Sequence, residues 1–329
     1  MRVLFWGTPD FAIPSLRALL GEGHDLVGVV TQPDRPAGRG RKPRPSPVKE
    51  AAMEEAVPVL TPELPRGEGF LQALRVLSPE VSVVVAYGHI LRPEVLELPP
   101  RGSVNLHASL LPELRGAAPI HWAVARGYDR TGVTLMRMTA GMDEGPILLQ
   151  REVPIDPTDT AASLHLRLAE VGAEALVETL ALMEADLLEP REQEHDRATY
   201  APKVDREVAR VDWSRPAREV SNHIRGMNSH PGAWSTLADK PIKLFHPRIA
   251  APDRAEGQGS DAGGEEGSPS PVEAREPGAI LAADPERGLV VATGDGAVRI
   301  GEVQPSGKRR MDVRDWLRGG GPEPGDRFR

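Results

Sequence analysis

At 329 residues the chain is long enough for two domains with separate cores, and its formal net charge of −8 excludes indiscriminate nucleic-acid binding over the whole surface while leaving room for a local basic patch. The absence of cysteine excludes disulfides, thiolate catalysis and Cys-based zinc sites, and the histidines form no HExxH-type cluster, so no metal is expected. Neither a signal peptide nor an uncharged apolar run near the ~20 residues of a membrane span is expected from the sequence, nor is any location but the cytoplasm.

Residues 2–6 read as a strand, Gly7-Thr8-Pro9-Asp10 as a turn, and 11–20 as a helix. The next strand, 26–31, is almost continuously apolar, as in a parallel sheet covered on both faces. This spacing predicts a doubly wound α/β unit. A dinucleotide GxGxxG fingerprint is absent, so the turn at Gly7 is open between receiving part of another ligand and merely fitting tightly. Residues 35–49 carry six basic side chains, no acidic one, four prolines and two glycines. That composition sustains neither a helix nor a central strand. An exposed basic loop in an acidic protein suits a phosphate backbone, and an ordinary solvated loop is the alternative. A helix at 48–56, a short strand at 57–60, a helix at 67–77 and a buried strand at 81–86 come next.

The strand at 103–107 opens the sequence Val104-Asn105-Leu106-His107-Ala108-Ser109-Leu110-Leu111-Pro112. Residues two apart on a strand share a face, so Asn105 and His107 emerge together. An amide and an imidazole so placed are suited to hold and protonate a reacting carbonyl. Ligand loops gather at the carboxyl ends of parallel strands, where this pair belongs. A helix at 117–127, with Trp122 as a structural residue, is followed by strands at 132–138 and 147–153. The loop between those strands carries Asp143, the candidate third member. Residue types alone leave open a role in tying down loops. A long helix, 160–186, is capped by Thr158 or Asp159 and turns Leu164, Leu168, Val171, Ala175 and Leu182 to the sheet. His165 on it is assigned to surface or packing.

Polarity rises over the linker 189–206. A helix at 217–226 and short strands at 234–237, 242–245, 279–281, 289–292 and 298–303 predict a small β-rich domain. Residues 311–317 read as one short helix, and the residues beyond the triple glycine as a frayed tail. Residues 252–278 hold seven acidic against two basic side chains, with six glycines and four prolines, and are expected to be a disordered excursion. Basic residues from Lys203 to Arg248, Arg225 among them, extend a basic track or belong to a mixed charged surface.

Several blocks resemble the folate-dependent formyltransferases over nearly the whole length, residues 252–278 excepted. They are Gly7-Thr8-Pro9-Asp10-Phe11-Ala12, the run from Thr31 to Gly40, Ser46-Pro47-Val48-Lys49, the Asn105 to Pro112 stretch, Arg115-Gly116-Ala117-Ala118-Pro119-Ile120, Thr131-Gly132-Val133-Thr134 and Met142-Asp143-Glu144-Gly145. The later blocks carry the chemistry, and the proline-rich basic loop marks the branch that acts on tRNA. The resemblance implies an α/β Rossmann-like formyltransferase domain over 1–188, a linker over 189–206 and an OB-like β-barrel that binds tRNA over 207–329. It implies formyl transfer from 10-formyltetrahydrofolate to the amino group of initiator methionyl-tRNA, with no metal. Asn105, His107 and Asp143 match the family's catalytic trio. Folate contacts are expected from Tyr87, Gly88, Ser109, Leu110, Leu111, Pro112 and Gly116. Contacts to tRNA are expected from Arg35, Arg39, Arg41, Lys42, Arg44, Lys49, Lys203, Arg206 and Lys243. The basic loop would enter the acceptor end, and an unpaired or weak first acceptor pair would mark the initiator. Formylation of a small amine, noncatalytic RNA binding and hydrolysis to formate are the competing readings.

Overall fold

The structure, a computed structural model, describes residues 1–37, 42–250 and 276–329. Arg39, Arg41 and all but the last three residues of the 252–278 excursion therefore lie outside the described residues. The first elements are β1 (Arg2–Gly7), α1 (Ile13–Gly21), β2 (Asp25–Val30), β3 (Arg35–Ala37), β4 (Lys42–Arg44), α2 (Pro47–Glu54), β5 (Val59–Leu60) and α3 (Glu68–Leu77). Then come β6 (Val81–Val85), α4 (Pro93–Leu96), β7 (Ser103–His107), α5 (Pro119–Ala125), β8 (Arg130–Arg137), β9 (Ile147–Pro154) and α6 (Ala161–Glu184). The remainder comprises α7 (Ala217–Gly226), β10 (Trp234–Leu237), β11 (Lys240–Ile249), β12 (Ile280–Asp284), β13 (Gly288–Ala292), β14 (Ala297–Pro305), β15 (Met311–Asp312) and α8 (Val313–Arg318).

One compact unit comprises Met1–Ile120, Asp129–Asp156 and Ser163–Lys203. Its seven-stranded sheet has the order β5-β2-β1-β6-β7-β8-β9. Strands β5 to β7 are parallel, and β8 and β9 add antiparallel pairs. All five residues of β6 are buried, which explains a run of valines rather than an alternating pattern. Leu164, Leu168, Leu176 and Leu180 of α6 are fully buried. Gly172 lies against Leu106, where a Cβ would come within 2.8 Å of the leucine, so α6 packs closely on β7. The sheet thereby holds the strand that ends in His107.

Among the described residues, the stretch read as an exposed basic loop is exposed and holds no central strand, but it carries paired strands of its own. Its described arms pair as the ribbon β3–β4, with Arg35 opposite Arg44, Pro36 opposite Pro43 and Ala37 opposite Lys42. A two-stranded ribbon tolerates proline because each strand has a free edge for a residue without an N–H. Lys49 belongs to α2 rather than to the loop, and Ser46 caps that helix by accepting from the Lys49 backbone N–H at 3.0 Å.

The other compact unit comprises His121–Tyr128, Pro157–Ala162 and Val204–Arg329. Its strands form an antiparallel half-barrel in the order β10-β11-β14-β13-β12, with β15 added to β14. Val220 and Ile224, four apart on α7, enter a core with Leu244, Val291 and Ile300. Three expectations are corrected here. Residues 311–317 are not one helix, since Met311 and Asp312 pair with β14 and Asp312 then caps α8. The tail is not frayed: Phe328 is buried and stacks on Trp213 with ring centroids 5.6 Å apart, while Arg329 exchanges backbone hydrogen bonds with Thr236. Arg225 is buried and donates to the Asp159 carbonyl and to Asn222 Oδ1, so its charge does not join a surface track. Among the described residues no helix is long and apolar enough to cross a membrane.

Candidate active site

The site grows from the carboxyl end of β7. Asn105 pairs with Val84 of β6 and with Met136 of β8, so the strand is fixed on both sides. Asn105 is half-buried, and its carboxamide makes no hydrogen bond among the described residues. His107, two residues on, is buried. Its Nε2 lies 3.0 Å from the Leu114 carbonyl, and a carbonyl oxygen only accepts, so Nε2 carries a hydrogen. Nδ1, the other ring nitrogen, faces Asp143 Oδ2 at 3.7 Å. That oxygen also accepts the Gly116 backbone N–H at 2.8 Å. The crossing loop thus sets Asp143 against His107, and Asn105 lies two residues before His107 on the same strand.

The turn after β7 is anchored by Thr134 of β8. Its Oγ1 donates to the Ser109 carbonyl at 2.6 Å and accepts from the Leu111 N–H at 3.1 Å and from Gln150 Nε2 at 3.0 Å. One hydroxyl thus uses its donor and both lone pairs. Ser109 Oγ closes the turn by donating to the Glu113 carbonyl at 2.6 Å. Of the residues expected at folate, Ser109 and Leu111 are buried on this turn, while Leu110 and Pro112 are half-buried. The Leu111–Pro112 peptide is cis. Gly116 adopts a φ of +115°, and a Cβ there would lie 2.8 Å from the Ala201 carbonyl oxygen, so glycine is needed where this strap passes residue 201.

Tyr87 and Gly88 leave the neighbouring end of β6. The Tyr87 carbonyl accepts from Thr8 Oγ1 at 2.9 Å and from Gln32 Nε2 at 3.0 Å, tying together three loops at one sheet edge. The Tyr87 side chain packs edge-on to Trp6 in the core, and its buried hydroxyl has no partner among the described residues. Burial pushes this phenol up to about 12.

The residues expected at tRNA fall into separate groups. Arg35, Lys42 and Arg44 are exposed on the ribbon. Lys49 is half-buried and its Nζ lies 2.7 Å from Asp34 Oδ1, which offsets its charge. Lys203 is exposed at the end of the first unit. In the second unit, Arg206 and Arg210 flank the Trp234 ring, at 5.0 and 5.6 Å from its centroid. Lys243 donates to the Pro231 carbonyl at 2.6 Å. His165, assigned to packing, meets the Phe11 ring edge-on and lies 3.4 Å from Asp10 Oδ1.

Sequence reading missed Leu114, Thr134, Gln150, Gln193 and Thr199. Gln193 lies in the polar stretch read as a linker, yet it is buried. That stretch pairs at Arg191 with Ile147 and at Tyr200 with Arg115. An isolated β-bridge has no periodic signal, whereas the wholly polar neighbours of Gln193 gave a clear and misleading one.

A parallel sheet ending in an Asn–His strand, followed in the chain by an antiparallel half-barrel, is the architecture of a two-domain formyl transferase. The formyl transferase family matches residues 1–180, and the formyl transferase C-terminal domain family matches residues 203–321. Methionyl-tRNA formyltransferase of Heliobacterium modesticaldum is 46% identical over 331 residues, covering 100% of both chains. The protein of that name from Desulforamulus reducens is 45% identical over 325 residues, covering 99% of this chain and 96% of its own. Among solved structures, HypX of Aquifex aeolicus in complex with tetrahydrofolic acid superposes with a TM-score of 0.61 at 20% identity, covering 98% of this chain. This chain spans 48% of HypX. The chain belongs to the methionyl-tRNA formyltransferase family.

Proposed function

We propose that this chain transfers the formyl group of 10-formyltetrahydrofolate to the α-amine of initiator methionyl-tRNA, in the cytoplasm, for translation initiation. Residues 1–188 carry the chemistry, and residues 207–329 help to hold the tRNA. In the reaction the amine nitrogen bonds to the formyl carbon and that carbon's bond to the folate nitrogen breaks. One proton leaves the amine and one reaches the departing nitrogen.

The observation that carries this reading is the division of labour at one strand end. Asn105 has a carboxamide that no described protein group uses, which suits it to donate to the formyl oxygen as that oxygen becomes negative. His107 has Nε2 committed to a carbonyl and Nδ1 turned to a carboxylate, which equips Nδ1 to hold and release a proton. Asp143, fixed by the Gly116 N–H, balances the imidazolium when it forms. Folate contacts come from the turns at 87–88 and 109–112 and from Gly116, all in the same compact unit as this trio.

For the acceptor, the ribbon supports recognition of phosphate. Arg35 and Arg44 stand directly opposite each other, a like-charge pair that destabilises a bare ribbon and that a phosphate between them stabilises. Lys42 adds a third exposed cation to the patch that meets the acceptor end, where a weak first pair marks the initiator. Lys203, in the first unit, and Arg206 and Lys243, in the second, are further candidates for contact with tRNA, whereas Lys49 acts through its pair with Asp34. The direct test is single-turnover formylation by Asn105→Ala together with its affinity for tRNA. The chemical rate should fall by more than about tenfold at unchanged affinity. A rate within tenfold of the original chain contradicts the assignment.

A further inference from the structure

The Asp143 loop is held from behind by a buried guanidinium. Arg115 is 2% exposed, and its Nε and Nη2 both donate to Gln193 Oε1, at 3.2 and 2.7 Å. Nη2 also lies 3.0 Å from His195 Nδ1, and Nη1 lies 3.7 Å from Glu144 Oε1. A carboxamide can turn either end toward a partner, but a guanidinium only donates, so Arg115 demands the oxygen of Gln193. The Gln193 NH2 is thereby directed to two backbone carbonyls, Asp143 at 2.9 Å and Gly145 at 2.8 Å. Between these anchors Asp143 adopts a φ of +55°, a left-handed conformation that L residues seldom take unaided. The same residue presents Oδ2 to His107 Nδ1 and to the Gly116 N–H.

We propose that Gln193, oriented by Arg115, is a positioning residue for formyl transfer. It clamps the backbone of residues 143–145 in the turn that aims the Asp143 carboxylate at His107. This rests on the reading of His107 and Asp143 as the proton-handling pair. Neither Arg115 nor Gln193 touches the reacting atoms; their effect passes through the loop.

Gln193→Glu separates the clamp from simple neutralisation of a buried charge. Glutamate keeps an acceptor for Arg115, and a charge-assisted one, but loses both donors to the carbonyls. The experiment measures kcat and both KM values for the full chain with initiator methionyl-tRNA and 10-formyltetrahydrofolate, alongside thermal unfolding and an Asp143→Asn reference. A kcat lowered by between about tenfold and a hundredfold, at unchanged KM values and with the melting transition retained, is expected. Gln193→Met removes the same donors without adding a charge, and carries the same expectation if the glutamate variant does not fold. Unchanged kcat in the Gln193 variant while Asp143→Asn is impaired overturns the clamp alone. Unchanged kcat in both overturns the proton-handling pair beneath it. A raised KM for tRNA at unchanged kcat, or loss of kcat in the Gln193 variant with Asp143→Asn unimpaired, also overturns the clamp.

Discussion

At His107 the chemistry turns on which ring nitrogen is committed. The Leu114 carbonyl binds the Nε2 hydrogen, so proton traffic falls to Nδ1, opposite Asp143. Leu114 delivers that carbonyl from a left-handed backbone conformation, with its own N–H held by Thr199 Oγ1 at 2.8 Å. Loss of the Asn105 donor should remove about 3 kcal/mol of transition-state stabilisation, read as a roughly hundredfold slower chemical step in rapid quench. A second prediction concerns Tyr87, whose hydroxyl is buried without a partner among the described residues. Its folded phenol keeps its proton to about 12, against an ordinary value of 10.0. Stability is therefore complete below the unfolded value and declines as pH rises from 10.0 toward 12, because the unfolded chain ionises first. Tyr87→Phe should remove that alkaline decline and raise the unfolding free energy at neutral pH by about 1 kcal/mol, as urea titrations at several pH values would show. An unchanged alkaline decline would count against burial of the hydroxyl. Asn105 and His107 were legible in the sequence because strand periodicity puts i and i+2 on one face. The approach of Asp143 was not, because it depends on a left-handed backbone residue and on an amide, Gln193, some fifty positions away.

At the scale of elements, regular structure was read well where a local apolar pattern, continuous in a buried strand or helical in spacing, dominates. The valine run of β6 and the apolar pair on α7 are such cases. Elements made by pairing rather than by local pattern were missed: the proline-bearing ribbon, the bridge formed by β15, and the chain end at Phe328. Each is stabilised by a partner distant in sequence. For the ribbon, Arg44→Ala should weaken tRNA binding and reduce the slope of log affinity against log salt by about 1, in a titration over a salt series. An unaltered slope would remove Arg44 from the phosphate contacts. For the tail, Phe328→Ala should destabilise the second unit by about 3 kcal/mol through the cavity left beside Trp213. Differential scanning calorimetry measures this, and a change under about 0.5 kcal/mol, the scale of a surface substitution, would mean that the stacking contributes little.

Over the whole molecule, length set a bound that the fold respects: two compact units, each with its own core. The division into an α/β unit and an antiparallel half-barrel was legible because strands alternate with helices in the first part, whereas a series of short strand candidates follows residue 230. The contribution of residues 189–203 to the first unit was not, since polar sequence reads as connection whether or not its backbone is paired. One measurement tests the central claim most directly. The original chain and Asn105→Ala are each given 10-formyltetrahydrofolate carrying a labelled formyl group, with initiator methionyl-tRNA, elongator methionyl-tRNA or a small amine as acceptor. Rapid labelling of the initiator alone, lost in the variant, is the expected result. Labelling confined to the small amine, or equal labelling by the variant, would contradict the account of the acceptor or of the chemical centre respectively.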